Sequence, residues 1–192
     1  MTPIQINING RWILESVPEL HELLKRPLRD GLGVFETMRM VDGMIPLLPR
    51  HYQRIRHSVT AWDYPLPDLP VPQSILSELK TQLAESPHLS SAKVRWGVIF
   101  QSGQLQQHSE FPLPCRFLEV IPGPAFAHFD ATPLKLGVYT EKRKQSSTKA
   151  KHKLLHESVY EDAFTFAVSQ GWDEAIVLNP TGQVIESANS NL

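Results

Sequence analysis

The chain has 192 residues, with 19 Lys and Arg against 20 Asp and Glu for a formal charge of −1, and 41% of its residues are apolar. That length allows one large domain or two small ones with a sizeable core, and the composition excludes a disordered chain or one that coats nucleic acid or an anionic membrane through net charge. The single cysteine, Cys115, excludes an internal disulfide framework, the opening MTPIQINING carries no basic region followed by an apolar one, and no run approaches the roughly 18 apolar residues of a membrane span, so a cytoplasmic protein is expected.

In chain order, Ile4, Ile6 and Ile8 alternate before Asn9-Gly10, whose tolerance of positive φ predicts a tight hairpin with Arg11–Leu14. A second hairpin is predicted from Val34–Met40, turning at Asp42-Gly43 and returning through Met44–Leu48. Pro49 suits the first turn of a helix that runs from Arg50 to about Trp62, with Ile55, Val59 and Trp62 on one face. Four prolines in PLPDLPVP predict an extended connection, after which residues 73–85 carry a helical pattern through Ile75, Leu76, Leu79 and Leu83. Val94–Phe100 and Cys115–Ile121 read as strands joined by a Gln-rich loop, and IPGPAFA at 121–127 reads as a linker between domains. Beyond it come a strand over Leu134–Tyr139, a polar loop over 141–153 and a helix from about Lys153 to Gln170, ended by Gly171. Ala175–Leu178, the turn at 179–182 and Gln183–Ser187 form a third predicted hairpin, so the chain is α+β or mixed α/β.

Metal-ligand spacing, a nucleophile elbow and a P-loop are all missing, and the eight histidines are scattered. Two motifs carry the chemistry. Gly31-Leu32-Gly33-Val34-Phe35-Glu36, then Asp42-Gly43, then His51-Tyr52-Gln53-Arg54 resembles the N-terminal signature of the class IV aminotransferases, the pyridoxal-phosphate enzymes of fold type IV. Leu32 departs from it, standing where an acidic residue is usual. The second half is similar to the same family in Lys153, Gly171-Trp172-Asp173-Glu174-Ala175, Gly182-Gln183-Val184-Ile185-Glu186 and Asn191, with His152 and Tyr160 matching a His-Lys-x(6)-Tyr form of some relatives.

The resemblance implies a D-amino acid aminotransferase-like two-domain fold: a small N-terminal α/β domain over 1–121, a linker over 122–128, and the beginning of a larger cofactor-binding domain over 129–192, with the cofactor between the domains. It also implies a homodimer and a small amino substrate. An aldehyde cofactor is held by an amine, and Lys153 matches that place; Lys149 and Lys151 fit the spacing less well. Read alone, Lys153 would merely begin an exposed helix. The match gives the phosphate dianion to Arg54, whose guanidinium stays charged and offers parallel donors; alone, Arg54 is a surface residue beside Arg50 and Arg56. Glu186 stands where the family holds the pyridine nitrogen protonated, and Asn191, Ser187 and Ser190 are further candidates to line the cofactor.

Three further departures accompany the match. Ser158 replaces the tyrosine that branched-chain relatives place five positions after the lysine; Gln101-Ser102-Gly103 stands where relatives often read Arg-Gly; and relatives continue well past the position of Leu192. A truncated form or a reduced member of the family would each account for the last. Phe35-Glu36-Thr37 resembles the lyase group, so the expected activity is conversion of 4-amino-4-deoxychorismate to 4-aminobenzoate and pyruvate through a Schiff base on Lys153, which then acts as general base. The alternatives are a branched-chain or D-amino acid aminotransferase using the same residues, and a non-catalytic binding protein on a reduced copy of the fold. Nucleic-acid binding through Lys142, Arg143, Lys144, Lys149, Lys151 and Lys153 is disfavoured, because no stacking aromatic lies among them.

Overall fold

The computed structural model describes residues 5–14, 33–62, 69, 71–85, 91–100, 114–122, 132–145, 152–155 and 157–190. The chain divides into two compact units, Met1–Phe129 with Lys153–His156, and Asp130–His152 with Glu157–Leu192. Of the expected linker 122–128, only Pro122 lies within the described residues, where it ends a strand.

The first unit is a five-stranded antiparallel sheet of β1 (Gln5–Ile8), β2 (Arg11–Leu14), β3 (Gly33–Met40), β4 (Ala92–Ile99) and β5 (Cys115–Pro122), in the order β2-β1-β5-β4-β3. The first hairpin forms as its Asn-Gly pair predicts: Asn9 and Gly10 both take positive φ, and the Gly10 N–H donates to Asn7 Oδ1 at 2.7 Å. Two helices, α1 (Leu48–Thr60) and α2 (Pro72–Glu85), cover one face of the sheet. Alternation along the strands separates the two sides. Val34, Met38, Met40, Val94, Trp96, Leu118 and Val120 pack with Ile55, Val59, Ile75 and Leu79 of the helices, while Ile6, Ile8, Ile99, Cys115 and Phe117 form a second cluster.

The second hairpin does not form as expected. After the turn at Asp42-Gly43 a single bridge joins Val41 to Met44, and the chain then leaves the sheet. Pro46 lacks the N–H that a ladder needs, Leu47 takes a left-handed conformation as the helix N-cap, and Pro49 starts α1. β3 pairs instead with β4, from Gly33↔Ile99 to Met40↔Ala92. The proline-rich connection at 65–72 falls mostly outside the described residues; Leu69 and Val71 belong to no regular element, and α2 begins at Pro72.

The second unit holds β6 (Leu136–Val138), α3 (Ser158–Ser169), β7 (Glu174–Leu178) and β8 (Val184–Ser187), with β6 parallel and β8 antiparallel to the central β7. Ala163 and Ala167 of α3 lie with Val159 against Tyr139, Ala175 and Val177, small residues allowing helix and sheet to approach closely. At the end of α3, Gly171 takes φ +65; its N–H bonds the Val168 carbonyl, and the Trp172 N–H reaches back to Ala167, closing the last turn as the glycine predicts.

The start of that helix differs from expectation. It begins at Ser158 rather than near Lys153, and Glu157 before it is extended. Residues 153–155 run instead along β3: Leu154 bridges Val34, the Phe35 N–H donates to the Lys153 carbonyl at 3.0 Å, and the Leu155 N–H to the Gly33 carbonyl at 2.9 Å. The unpaired backbone edge of β3 thus competes successfully with the helical pattern of residues 153–157. Leu155 joins the second apolar cluster of the first unit rather than the helix face.

Candidate active site

Lys153 is placed through its backbone. The two main-chain hydrogen bonds to β3 set it opposite Phe35 of the Gly-x-Phe-Glu motif, and its Nζ lies 5.2 Å from the centre of the Phe35 ring, within cation–π range. The Lys153 side chain is exposed, and the Arg95 guanidinium also lies over Phe35, at 5.0 Å, while pairing with Glu119 at 3.1 Å. Gly33 makes this arrangement possible. A Cβ there would stand 2.3 Å from Leu155 Cδ1 and 2.5 Å from the Val98 carbonyl oxygen, so a side chain would drive the 153–155 segment off the strand.

The neighbouring residue of β3, Glu36, shares the core side with Val34 and Met38 and is buried. His51 and Arg54, three apart on α1, both reach it. His51 Nδ1 lies 2.8 Å from Oε2, and because a carboxylate only accepts, that nitrogen carries the proton. Arg54 donates from Nε to Oε1 at 2.9 Å and from Nη2 to Oε2. The Glu36 hydrogen bond and charge raise the Arg54 pKa against a smaller opposing effect of burial. Arg54 is therefore not a lone surface cation, and the structure gives its His-x-x-Arg motif a partner that the sequence motif did not name. Lys153 and Arg54 contact consecutive residues of one strand, on its two different faces.

In the second unit, Glu186 on β8 accepts a hydrogen bond at Oε1 from the Tyr160 hydroxyl of α3. Lys144 Nζ stands 2.6 Å from that hydroxyl, 3.1 Å from Glu157 Oε2 and 3.9 Å from Glu186 Oε1. Desolvation by burial, then the Glu186 bond and the charges of Glu186 and Glu157, hold the Tyr160 phenol far above its usual range, so it remains a donor. Ser158 carries no phenol; the phenol of Tyr160, seven residues after Lys153, contacts the Glu186 carboxylate. Of the basic run, Lys142 pairs with Asp162, Arg143 donates to the Tyr139 carbonyl at 3.0 Å, and Lys144 joins this cluster; Lys149 and Lys151 lie outside the described residues.

Asn191 also lies outside the described residues. Ser187, which is buried, and Ser190, which is exposed, share a structural partner. The buried Glu174 of the Asp-Glu-Ala motif accepts from the Ser187 hydroxyl, from Ser190 Oγ at 2.8 Å and from the Asn189 N–H at 3.3 Å, holding the turn that follows β8. Among the described residues, no group of three His, Cys, Asp or Glu is placed to hold a metal ion, and no helix is long and apolar enough to cross a membrane.

The model of the family "Amino-transferase class IV" matches residues 33–192. A bifunctional aminodeoxychorismate lyase / D-amino acid transaminase of Mycobacterium tuberculosis (strain ATCC 25618 / H37Rv) is 37% identical over 65 residues, which is 34% of this chain and 22% of that protein. The branched-chain amino acid aminotransferase of Escherichia coli superposes with a TM-score of 0.71 over 97% of this chain and 62% of its own, at 18% identity. An aminotransferase from Brucella abortus bound to the cofactor PLP superposes with a TM-score of 0.63 over 97% of this chain and 65% of its own, at 20% identity. The chain thus spans less than two thirds of the length of each of these relatives. One family model runs through both signatures, and the fold it implies is shared along nearly the whole chain: this protein belongs to the class IV aminotransferases.

Proposed function

We propose that this chain works as a pyridoxal 5'-phosphate-dependent lyase that converts 4-amino-4-deoxychorismate to 4-aminobenzoate and pyruvate, with a second copy completing a homodimer. The observation that carries the reading is the backbone clamp setting Lys153 against Phe35 of the Gly-x-Phe-Glu motif. The name of the Mycobacterium tuberculosis relative and the lyase-like Phe35-Glu36-Thr37 support this choice within the family.

The chemistry of the donors suits the cofactor. Lys153 offers an exposed primary amine, and among the described residues Arg54 has its Nη1 unengaged and both contacts of Glu186 fall on Oε1, leaving Oε2 for a ring nitrogen. In this reading Lys153 would hold the aldehyde carbon, Arg54 the phosphate and Glu186 the pyridine nitrogen, and Asn191 is a further candidate by its place in the sequence motif. When bound, the cofactor supplies an electrophilic carbon for amines and an electron-poor ring that accepts the electron pair of a bond breaking on the substrate. Lys153 Nζ would also be the base that takes a proton from the bound substrate. Glu186 would keep a proton at the ring nitrogen, and Tyr160 orients Glu186 by donating to Oε1 while Lys144 Nζ donates to the phenol oxygen.

Purified protein mixed with the cofactor is expected to gain a visible absorption band that borohydride removes, and Lys153→Ala should abolish it; a protein that gains no band refutes the reading. The second reading, a D-amino acid or branched-chain aminotransferase, draws on the transaminase half of the same relative's name. There Lys153 would serve first as base and then as acid toward an amino acid. Aminodeoxychorismate in excess separates them, since the lyase needs no amino acceptor and transamination stops after one turnover without a keto acid.

A further inference from the structure

Glu36 occupies a position at which β3 otherwise places apolar side chains, between Val34 and Met38 and across from Trp96. A buried carboxylate there requires compensation, and α1 provides it through His51 and Arg54. Packed apolar side chains often replace such a buried ion pair without loss of stability, so the fold alone does not call for the charge. The two partners differ sharply in exposure. The Glu36 side chain is 3% accessible and that of Arg54 64%, so the carboxylate reaches outward from the core to hold a guanidinium whose far side faces solvent.

The way it is held leaves a specific set of donors. Glu36 occupies the edge formed by Nε and Nη2. Guanidinium has a second fork, made by Nη1 and the remaining N–H of Nη2, and among the described residues that fork has no acceptor. Its parallel donors suit two oxygens of one phosphate.

We propose that Glu36 is a positioning residue: by clamping one edge of Arg54 it presents the other edge, already oriented, to a phosphate monoester, while the His51 Nδ1–H steadies the carboxylate. The inference rests on the reading of Arg54 as the phosphate anchor. A free arginine loses most of its rotamer freedom when it binds an anion, and the clamp imposes that restriction before the ligand arrives.

The test titrates the full chain with pyridoxal 5'-phosphate and, separately, with pyridoxal, which has the same ring and aldehyde without the phosphate. Glu36→Met suits the apolar surroundings and is expected to retain the parent's thermal unfolding midpoint, to weaken the phosphorylated compound about tenfold, and to leave pyridoxal unchanged. In an Arg54→Lys background the same substitution should add no further loss, since the fork it orients is already gone. Should Glu36→Met not fold, Glu36→Gln keeps the shape without the charge and is read by the same difference between the two compounds. Equal weakening of both compounds, or an undiminished affinity for the phosphorylated one, overturns the inference and leaves the cofactor reading intact. A parent protein that takes up neither compound overturns both.

Discussion

At residue scale, Cys115 lies buried at the start of β5 in the second apolar cluster, where desolvation pushes its thiol from the ordinary 9.0 up to about 12. The folded pKa is raised, so the stabilisation tied to the protonated thiol is complete below pH 9.0 and is lost as the pH climbs towards about 12. At pH 8 a thiol reagent should therefore modify native protein only as fast as the chain opens, and at once in denaturant; prompt native labelling would show the burial to be wrong. Tyr160 permits a second prediction. Tyr160→Phe deprives Glu186 of its donor and Lys144 of an acceptor, for an expected loss of about 1–2 kcal/mol in denaturant unfolding.

The residues that a motif can name are those whose type and place in the chain carry the meaning. Lys153, Arg54 and Glu186 were legible in that way as candidates. The partners of Arg54 and Glu186 were not. Glu36 lies 18 residues from Arg54, and Lys144 lies 16 from Tyr160, so neither pairing follows a local period. Glu174 reads as part of a motif, and only the packed turn at 187–190 reveals what its carboxylate holds.

At the scale of the element, periodicity found most strands and the faces of α1 and α2, because buried side chains recur there at the spacing of the backbone. It failed where two partners competed for one segment. Residues 153–157 have a helical pattern, but β3 offers them an unsatisfied edge, and a single-sequence pattern has no view of that edge. Gly33 is the residue on which the outcome depends. Gly33→Ala is expected to destabilise the first unit by about 1–3 kcal/mol through overpacking against Leu155 and to lower cofactor uptake by displacing Lys153. Both effects are measurable on one preparation, by denaturant midpoint and by the visible band; an alanine variant with a normal midpoint and normal uptake would show that the 153–155 segment has room to spare.

At the scale of the molecule, a composition shift at 121–127 marks a connection in the sequence and says nothing of the chain's later return to the first unit. That unit takes residues 153–156 from beyond the second unit's first strand. A fragment ending at residue 129 would lack both the edge partner of β3 and Leu155. Such a fragment is expected to unfold at a lower temperature than the full chain and to associate through the open edge in a concentration-dependent way. A monomeric fragment with the full chain's unfolding midpoint would show that the returning segment contributes nothing.

That return also has a consequence in time. On a translating ribosome the strands up to β5 emerge first, and Leu154 and Leu155 follow only after a further ~30 residues, on the order of a few seconds at ordinary elongation speeds. For that interval the nascent sheet waits with one side unzipped, and the amine expected to capture the cofactor arrives in the same stroke that closes it.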